Sequence, residues 1–172
     1  MAKELLLVDA NIISHALTDN QTPAYAKLFA ELEQKYIFVV TGFTKYEIMC
    51  TSDKEHKEKI TEFIEQNMAY VTLSKALMDF SAKLCFLYKS HPSTKHKIDM
   101  GDIVNAAFAI AKPCNILTIN NVDYPLPFFA EVASERRYVK YISKNKNKMT
   151  DVVHVLKPDI EHTKSCFDTY KV

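Results

Sequence analysis

Short apolar runs alternate along the chain with segments in which apolar residues recur every three or four positions. The first run, 5–8, is too short for the core of a helix and long enough for a strand buried on both faces. Equivalent runs rich in β-branched and aromatic residues predict further strands. These lie at 36–40, 69–73, 115–119 and 151–156.

Helical periodicity between these runs predicts the intervening elements. We expect helices over 23–35, from 44, from a cap at Ser52 through Ile64, over 75–90, over 100–111 and over 127–143. Alternating strands and helices indicate an α/β fold, a three-layer α/β/α sandwich with a central parallel sheet. We assign 1–158 to one domain with a basic helical insertion at about 127–148, and 159–172 to a polar C-terminal tail.

Composition narrows the class of protein. A net charge of +1, with 25% charged and 48% hydrophobic residues, is ordinary for a globular domain. No apolar run approaches the roughly 18 residues that a membrane span needs, and the first residues lead directly into a strand without a signal peptide. We therefore expect a cytoplasmic protein with no membrane partner.

The cysteines and histidines give no sign of a ligand set. The four cysteines are Cys50, Cys85, Cys114 and Cys166. Their wide spacing predicts reduced thiols, and neither a zinc site nor a disulfide framework. His91 and His96 flank a polar loop and are expected to face solvent.

Four acidic residues occupy comparable places relative to the predicted elements. They are Asp9, Glu47, Asp102 and Asp123. Asp9 and Asp123 follow the first and fourth strands, where open α/β sheets place their chemistry. Glu47 and Asp102 fall in the first turn of a helix. Each acid also has a purely structural interpretation, as a helix cap, as part of a capping box or as a turn residue.

The energetics of four converging carboxylates leave few arrangements open. Two carboxylates about 5 Å apart repel by roughly 3 kcal/mol at an effective dielectric constant near 20. Such a cluster needs protons or a cation, and hard divalent cations prefer all-oxygen sites. A magnesium-type ion held in this way is suited to phosphodiester hydrolysis.

Four segments together resemble the PIN-domain family of metal-dependent nucleases. They are LLLVDAN at 5–11, TKYEI at 44–48, DIVNAAFA at 102–109 and LTINNVDY at 117–124. The last one is similar to that family's T-x-N-x-x-D-[FY] segment, and 152–158 is similar to its closing strand. Two features depart from a minimal member, namely the long segment 124–150 and the extra residues after Pro158.

The resemblance, which is to VapC-like toxin nucleases of this family, implies a function. It implies Mg²⁺ or Mn²⁺ held by the four acids, and RNA cleavage that leaves a 5′ phosphate and a 3′ hydroxyl. Many small members are toxins blocked by a protein antitoxin, so RNA, an antitoxin and a second copy of the chain are the expected partners. Asn11, Thr118 and Asn120 are then expected to orient the carboxylates or water.

The same residues bear on three other classes of protein. A haloacid-dehalogenase-like phosphatase needs a second Asp where this chain has Asn11. A nucleotide-binding loop is excluded because Gly42 and Gly101 are the only glycines. The serious alternative is a catalytically idle PIN-fold module that binds RNA or a protein.

A basic segment follows the fourth acid. Residues 135–148 contain six basic residues and one acid. Arg136, Lys140 and Lys144 recur every four positions, so the predicted helix would align them in one stripe with Arg137 alongside. This stripe is either a solvated helix face or a surface that binds RNA.

Overall fold

The computed structural model describes residues 2–51, 53–94 and 97–171. Its elements, in chain order, are β1 (Glu4–Val8), α1 (Ala10–Ala16), α2 (Thr22–Leu32), β2 (Tyr36–Thr41), α3 (Gly42–Thr51), α4 (Lys54–Asn67), β3 (Ala69–Val71), α5 (Lys75–Ser90), α6 (Met100–Ala111), β4 (Asn115–Thr118), β5 (Phe129–Glu131), β6 (Arg137–Ile142), β7 (Lys148–Pro158) and α7 (Ile160–Tyr170). Two short 3-10 turns, Asn121–Asp123 and Ala133–Glu135, lie between strands.

The strands form one mixed sheet in the order β3-β2-β1-β4-β7-β5, with β6 paired to β7. The first four strands in this order are parallel, as predicted. β7 is antiparallel to β4, and β5 and β6 are antiparallel to β7. The α/β sandwich expected from the sequence is therefore confirmed, and its C-terminal side is antiparallel.

Helices cover both faces of the sheet because successive residues of a buried strand point to opposite sides. Leu6 and Val8 of β1 pack in a cluster with apolar residues of α1, α2 and α4. Leu7, between them, packs on the other side with residues of α5, α6 and α7. Both clusters are apolar, which explains why β1 is an unbroken hydrophobic run.

The predicted helix over 127–143 is wrong, since β5 and β6 occupy this segment. In β6 Val139 is buried while Tyr138 and Lys140 are exposed, which is the alternation of a strand. Residues four positions apart share a face of a strand as well as of a helix, so the spacing of Arg136, Lys140 and Lys144 could not separate the two.

The first half of β7 extends past the carboxyl ends of the parallel strands. Thr118, the last residue of β4, pairs with His154, so residues 148–153 continue past the carboxyl end of β4. Six residues of strand extend about 20 Å. Because β6 pairs along these residues, 137–153 forms a hairpin arm at the carboxyl edge of the parallel strands.

The segment after Pro158 is a helix, not a polar tail. Asp159 caps α7 by accepting a hydrogen bond from the backbone N–H of His162. Cys166 is buried in the same apolar cluster as α5 and α6, and Phe167 and Tyr170 pack against that cluster. The predictions for Ser52 and His96 lie outside the described residues. No helix among the described residues is long and apolar enough to cross a membrane.

Candidate active site

Asp9 stands at the carboxyl end of β1, where the chain turns into α1. Its side chain is 3% exposed and accepts a hydrogen bond from the backbone N–H of Ala10 at 2.8 Å. It therefore caps α1, as the structural interpretation supposed, and at the same time faces the neighbouring acids. Burial raises the pKa of Asp9, and hydrogen bonds from Thr118, Ala10 and Asn11 partly oppose this rise.

Three polar side chains hold Asp9 and Asp123 in place. Thr118 Oγ1 donates to Asp9 Oδ2 at 2.7 Å, and Asn11 Nδ2 donates to the same oxygen at 2.8 Å. Asn11 Oδ1 in turn accepts from the backbone N–H of Ile119 at 3.2 Å. The amide of Asn120 donates to Asp123 Oδ2. The structure therefore places Asn11 and Thr118 against Asp9, and Asn120 against Asp123. All three were expected from the sequence to orient carboxylates.

Glu47 reaches the cluster from α3 because no side chain stands in its way at residue 101. A Cβ added to Gly101 would lie 3.0 Å from Glu47 Oε2, closer than nine in ten real Cβ contacts, so the carboxylate would have to shift. Partial burial raises the pKa of Glu47, followed by the charges of Asp9, Asp99 and Asp123.

The capping box predicted at Thr44 is wrong, because α3 begins earlier, at Gly42. The backbone N–H of Thr44 donates to Thr41 Oγ1 at 3.2 Å, so Thr41 caps the helix. Thr44 is an interior residue whose hydroxyl donates to Asn105 Oδ1 at 3.1 Å. This leaves the Glu47 carboxylate with no capping role at Thr44.

Asp102 lies in the first turn of α6, and Tyr124 anchors it from the chain after β4. The Tyr124 hydroxyl donates to Asp102 Oδ1 at 3.3 Å. Burial raises the pKa of Tyr124 well above its ordinary value, so the phenol keeps its proton and remains a donor. Burial, followed by the charges of Asp9, Asp123 and Glu47, raises the pKa of Asp102 to about 8.

The four predicted acids are therefore brought together by four different elements. Every pair among Asp9, Glu47, Asp102 and Asp123 interacts electrostatically, and each such interaction raises a carboxyl pKa. Neighbouring like charges favour the protonated form unless a cation neutralises them. The donor set consists of carboxylate oxygens, with Thr and Asn side chains behind them, which fits a hard divalent cation such as Mg²⁺ or Mn²⁺.

Sequence reasoning missed other polar residues at this edge. Asp99 occupies the N-cap position of α6, yet its side chain makes no capping hydrogen bond and its charge acts on Glu47. Thr41 Oγ1 donates to Asn105 Oδ1 at 2.8 Å, which ties the start of α3 to α6 in a buried network. The position of Asp99, three residues before Asp102, was the signal that could have identified it. The contact between Thr41 and Asn105 joins residues 64 apart, so no local sequence pattern indicates it.

The basic residues proposed for RNA binding do not form the predicted stripe. Arg136 makes a two-pronged ion pair with Glu131, with Nε at 2.7 Å from Oε1. Arg137 lies 3.4 Å from a carboxylate oxygen of Glu135. Lys140, on β6, and Lys144, in the turn between β6 and β7, have exposed side chains. Only the lysines of the set therefore present their charge freely to solvent on the hairpin arm.

Comparison with known proteins supports the fold. No protein-family model matches the chain, and no curated protein matches it. Among solved structures it is similar to a chain in the crystal structure of VapBC2 from Rickettsia felis bound to a DNA fragment from their promoter. The TM-score is 0.57 at 14% sequence identity, over 70% of this chain and 90% of that chain. At this identity the likeness concerns the α/β fold.

Proposed function

We propose that the protein is a divalent-metal-dependent endoribonuclease that hydrolyses RNA phosphodiester bonds at the acid cluster of Asp9, Glu47, Asp102 and Asp123. The observation that carries the proposal is the convergence of these four carboxyls at the carboxyl edge of the parallel strands, where the charges of Asp9, Asp123 and Glu47 all raise the pKa of Asp102. Ligand sites in open α/β sheets lie at this edge. Neither apolar packing nor ion pairing explains why four carboxylates that repel one another lie together.

Each group has a role in this scheme. When bound, Mg²⁺ or Mn²⁺ would polarise the scissile phosphate and make water a better nucleophile. The four carboxylates would hold the ion, and Asn11 and Thr118 would fix the orientation of Asp9 through the hydrogen bonds already present. The raised pKa of Asp102 means that its proton must leave to solvent when a cation binds.

The hairpin arm supports RNA as the substrate. It extends from the edge of the sheet that holds the acids and presents Lys140, Lys144, Lys146 and Lys148 as exposed cations. The exposed ring of Tyr138 lies on the same face of β6 as Lys140. Lysines neutralise backbone phosphates without regard to sequence, and an exposed aromatic ring can stack on a base.

Cleavage of a labelled single-stranded RNA tests the proposal. We expect cleavage with Mn²⁺ or Mg²⁺, none in EDTA, and products with a 5′ phosphate. Asp102→Asn should abolish cleavage, whereas Asp79→Asn, at an exposed position on α5, should cleave as the wild type does. Bound but intact RNA in the presence of either metal would instead indicate the idle binding module.

We further propose that the chain acts as a toxin restrained by a protein antitoxin. The family resemblance implies such a pair, and the similar chain of known structure comes from VapBC2. Induced expression in a bacterium should arrest growth, and Asp102→Asn should relieve the arrest at equal protein level. Equal growth arrest by both proteins would separate toxicity from the acid cluster and contradict the proposal.

A further inference from the structure

A second group of metal-ligating side chains lies outside the acid cluster, where α7 packs against the end of α5. It consists of His91, at the C-cap of α5, and of His162 and Cys166 on α7. One ligand atom from each residue lies within 4.8 Å of those of the other two. We propose that His91, His162 and Cys166 bind a zinc-class transition-metal cation that fastens α7 to the rest of the domain.

The spacing of the two ligands on α7 already matches a metal site. Residues four apart lie on one face of a helix, so His162 and Cys166 point the same way. His162 Nε2 and Cys166 Sγ are 3.2 Å apart. In a tetrahedral zinc site, with Zn–N of about 2.0–2.1 Å and Zn–S of about 2.3 Å, the N···S edge is about 3.5 Å. This pair therefore needs almost no rearrangement. The His91 ligand atom lies within 4.8 Å of the other two, so it would move inward by at most about 1.5 Å.

Ser93 holds the His91 ring at Nδ1, which leaves Nε2 as its ligand atom. Its Nδ1 lies 2.7 Å from Ser93 Oγ and 3.2 Å from the Ser93 backbone nitrogen. Donation from Nδ1–H to Ser93 Oγ leaves the lone pair of Nε2 for a cation. The backbone N–H of Ser93 favours the other tautomer in the metal-free protein, so coordination at Nε2 would move the ring proton to Nδ1.

Aromatic rings fix the orientation of the two imidazoles. The Phe128 ring meets His91 edge-on at 4.9 Å and His162 at 5.3 Å between centroids. The Tyr170 ring lies 5.9 Å from His91. Burial, and then the charge of His162, lowers the pKa of His91.

The choice of cation follows from the donors. Two imidazoles and a thiolate are borderline-to-soft ligands that suit Zn²⁺ and discriminate against Mg²⁺. Burial raises the pKa of the Cys166 thiol, so the bound metal must displace its proton, which leaves to solvent. Three protein ligands leave the fourth position of a tetrahedral ion to water. None of these residues belongs to the acid cluster, so the inference stands apart from the proposed nuclease function.

Cobalt absorption tests the site directly in the full-length chain. After treatment with EDTA and removal of the chelator, Co²⁺ is titrated and the near-ultraviolet thiolate-to-cobalt charge-transfer band is recorded. We expect a band that saturates at one equivalent and is displaced by Zn²⁺. Cobalt on the acid cluster produces no such band, because carboxylates are its only charged ligands there.

Two variants and a control assign the band to its ligands. Cys166→Ser should abolish it, and His162→Gln should weaken Co²⁺ binding by at least about 100-fold, because even groups behind the ligands matter by 10–100-fold. Cys50→Ser, at an exposed thiol, should leave it unchanged. Far-ultraviolet circular dichroism shows whether each variant is folded. If both α7 variants unfold, His91→Gln, which lies outside α7, replaces them and should weaken Co²⁺ binding. Absence of the band in the wild type, or its survival in Cys166→Ser, would reduce the cluster to aromatic packing around a thiol–imidazole hydrogen bond.

Discussion

Replacing Asp102 by Asn should make the metal-free protein more stable. Burial and the charges of Asp9, Asp123 and Glu47 raise the pKa of Asp102 from 3.8 to about 8 in the folded chain. A group whose pKa is higher when folded binds its proton more tightly in the folded state. The free energy of unfolding therefore falls as pH rises between these two pKa values.

The size of the effect follows from the same shift. At about pH 7 the Asp102 carboxyl of the unfolded chain is roughly three pH units above its pKa. Each unit favours the unfolded state by about 1.4 kcal/mol, which gives on the order of 4 kcal/mol. Asn has no proton to lose, and its Oδ1 can still accept the hydrogen bond from Tyr124. For a domain of this size, 4 kcal/mol corresponds to a melting temperature higher by about 8–16 °C.

Thermal unfolding in EDTA tests this prediction. The advantage of Asp102→Asn should be large at about pH 7, smaller at about pH 5 and absent below about pH 3, where the unfolded carboxyl keeps its proton. Asp79→Asn, at an exposed acid, should show no such trend. An equal melting temperature at pH 7, or an advantage that does not depend on pH, would show that the acids do not strain the folded protein.

Three further predictions concern the cation, its supporting groups and the arm. Mg²⁺ at about 100 times its dissociation constant should add about 2.7 kcal/mol to wild-type stability and much less to Asp102→Asn, as calorimetry would show. Thr118→Val removes the hydroxyl that donates to Asp9, so half-maximal cleavage should need about 10–100-fold more metal; an unchanged metal dependence would contradict this role. Replacing Lys140 and Lys144 together by Gln should flatten the slope of log RNA affinity against log salt by about 1.4, whereas the same change at the exposed Lys75 and Lys83 of α5 should not.

The parallel half of the fold could be predicted because one signal dominates there. The run at 5–8 is apolar at every position, and the structure buries Leu6 and Leu7 on opposite faces of the sheet. Such a strand has no polar side to confuse with a helix. Asp9 follows as the first polar residue after it, which is why its place at the sheet edge could be foreseen.

The C-terminal part could not be predicted in the same way. Residues that recur every four positions fit a strand and a helix equally. The segment around Lys140 was predicted as a helix and is a strand. The cap of α3 was misplaced by three residues because Thr41 and Thr44 are both suitable caps. In the structure the backbone N–H of Thr44 donates to Thr41 Oγ1, which makes Thr41 the cap. The His91–His162 contact joins residues whose proximity only the packing of α7 creates.

The most direct test of the account measures metal binding and RNA cleavage in the same samples. Mn²⁺ is titrated into the protein, bound ion is followed by electron paramagnetic resonance, and cleavage of a labelled RNA is measured at each concentration. We predict that bound Mn²⁺ and cleavage rise with the same midpoint and that Asp9→Asn removes both. Cleavage that persists in EDTA, or that survives in Asp9→Asn, would contradict the assignment of the four acids as a metal-dependent nuclease site.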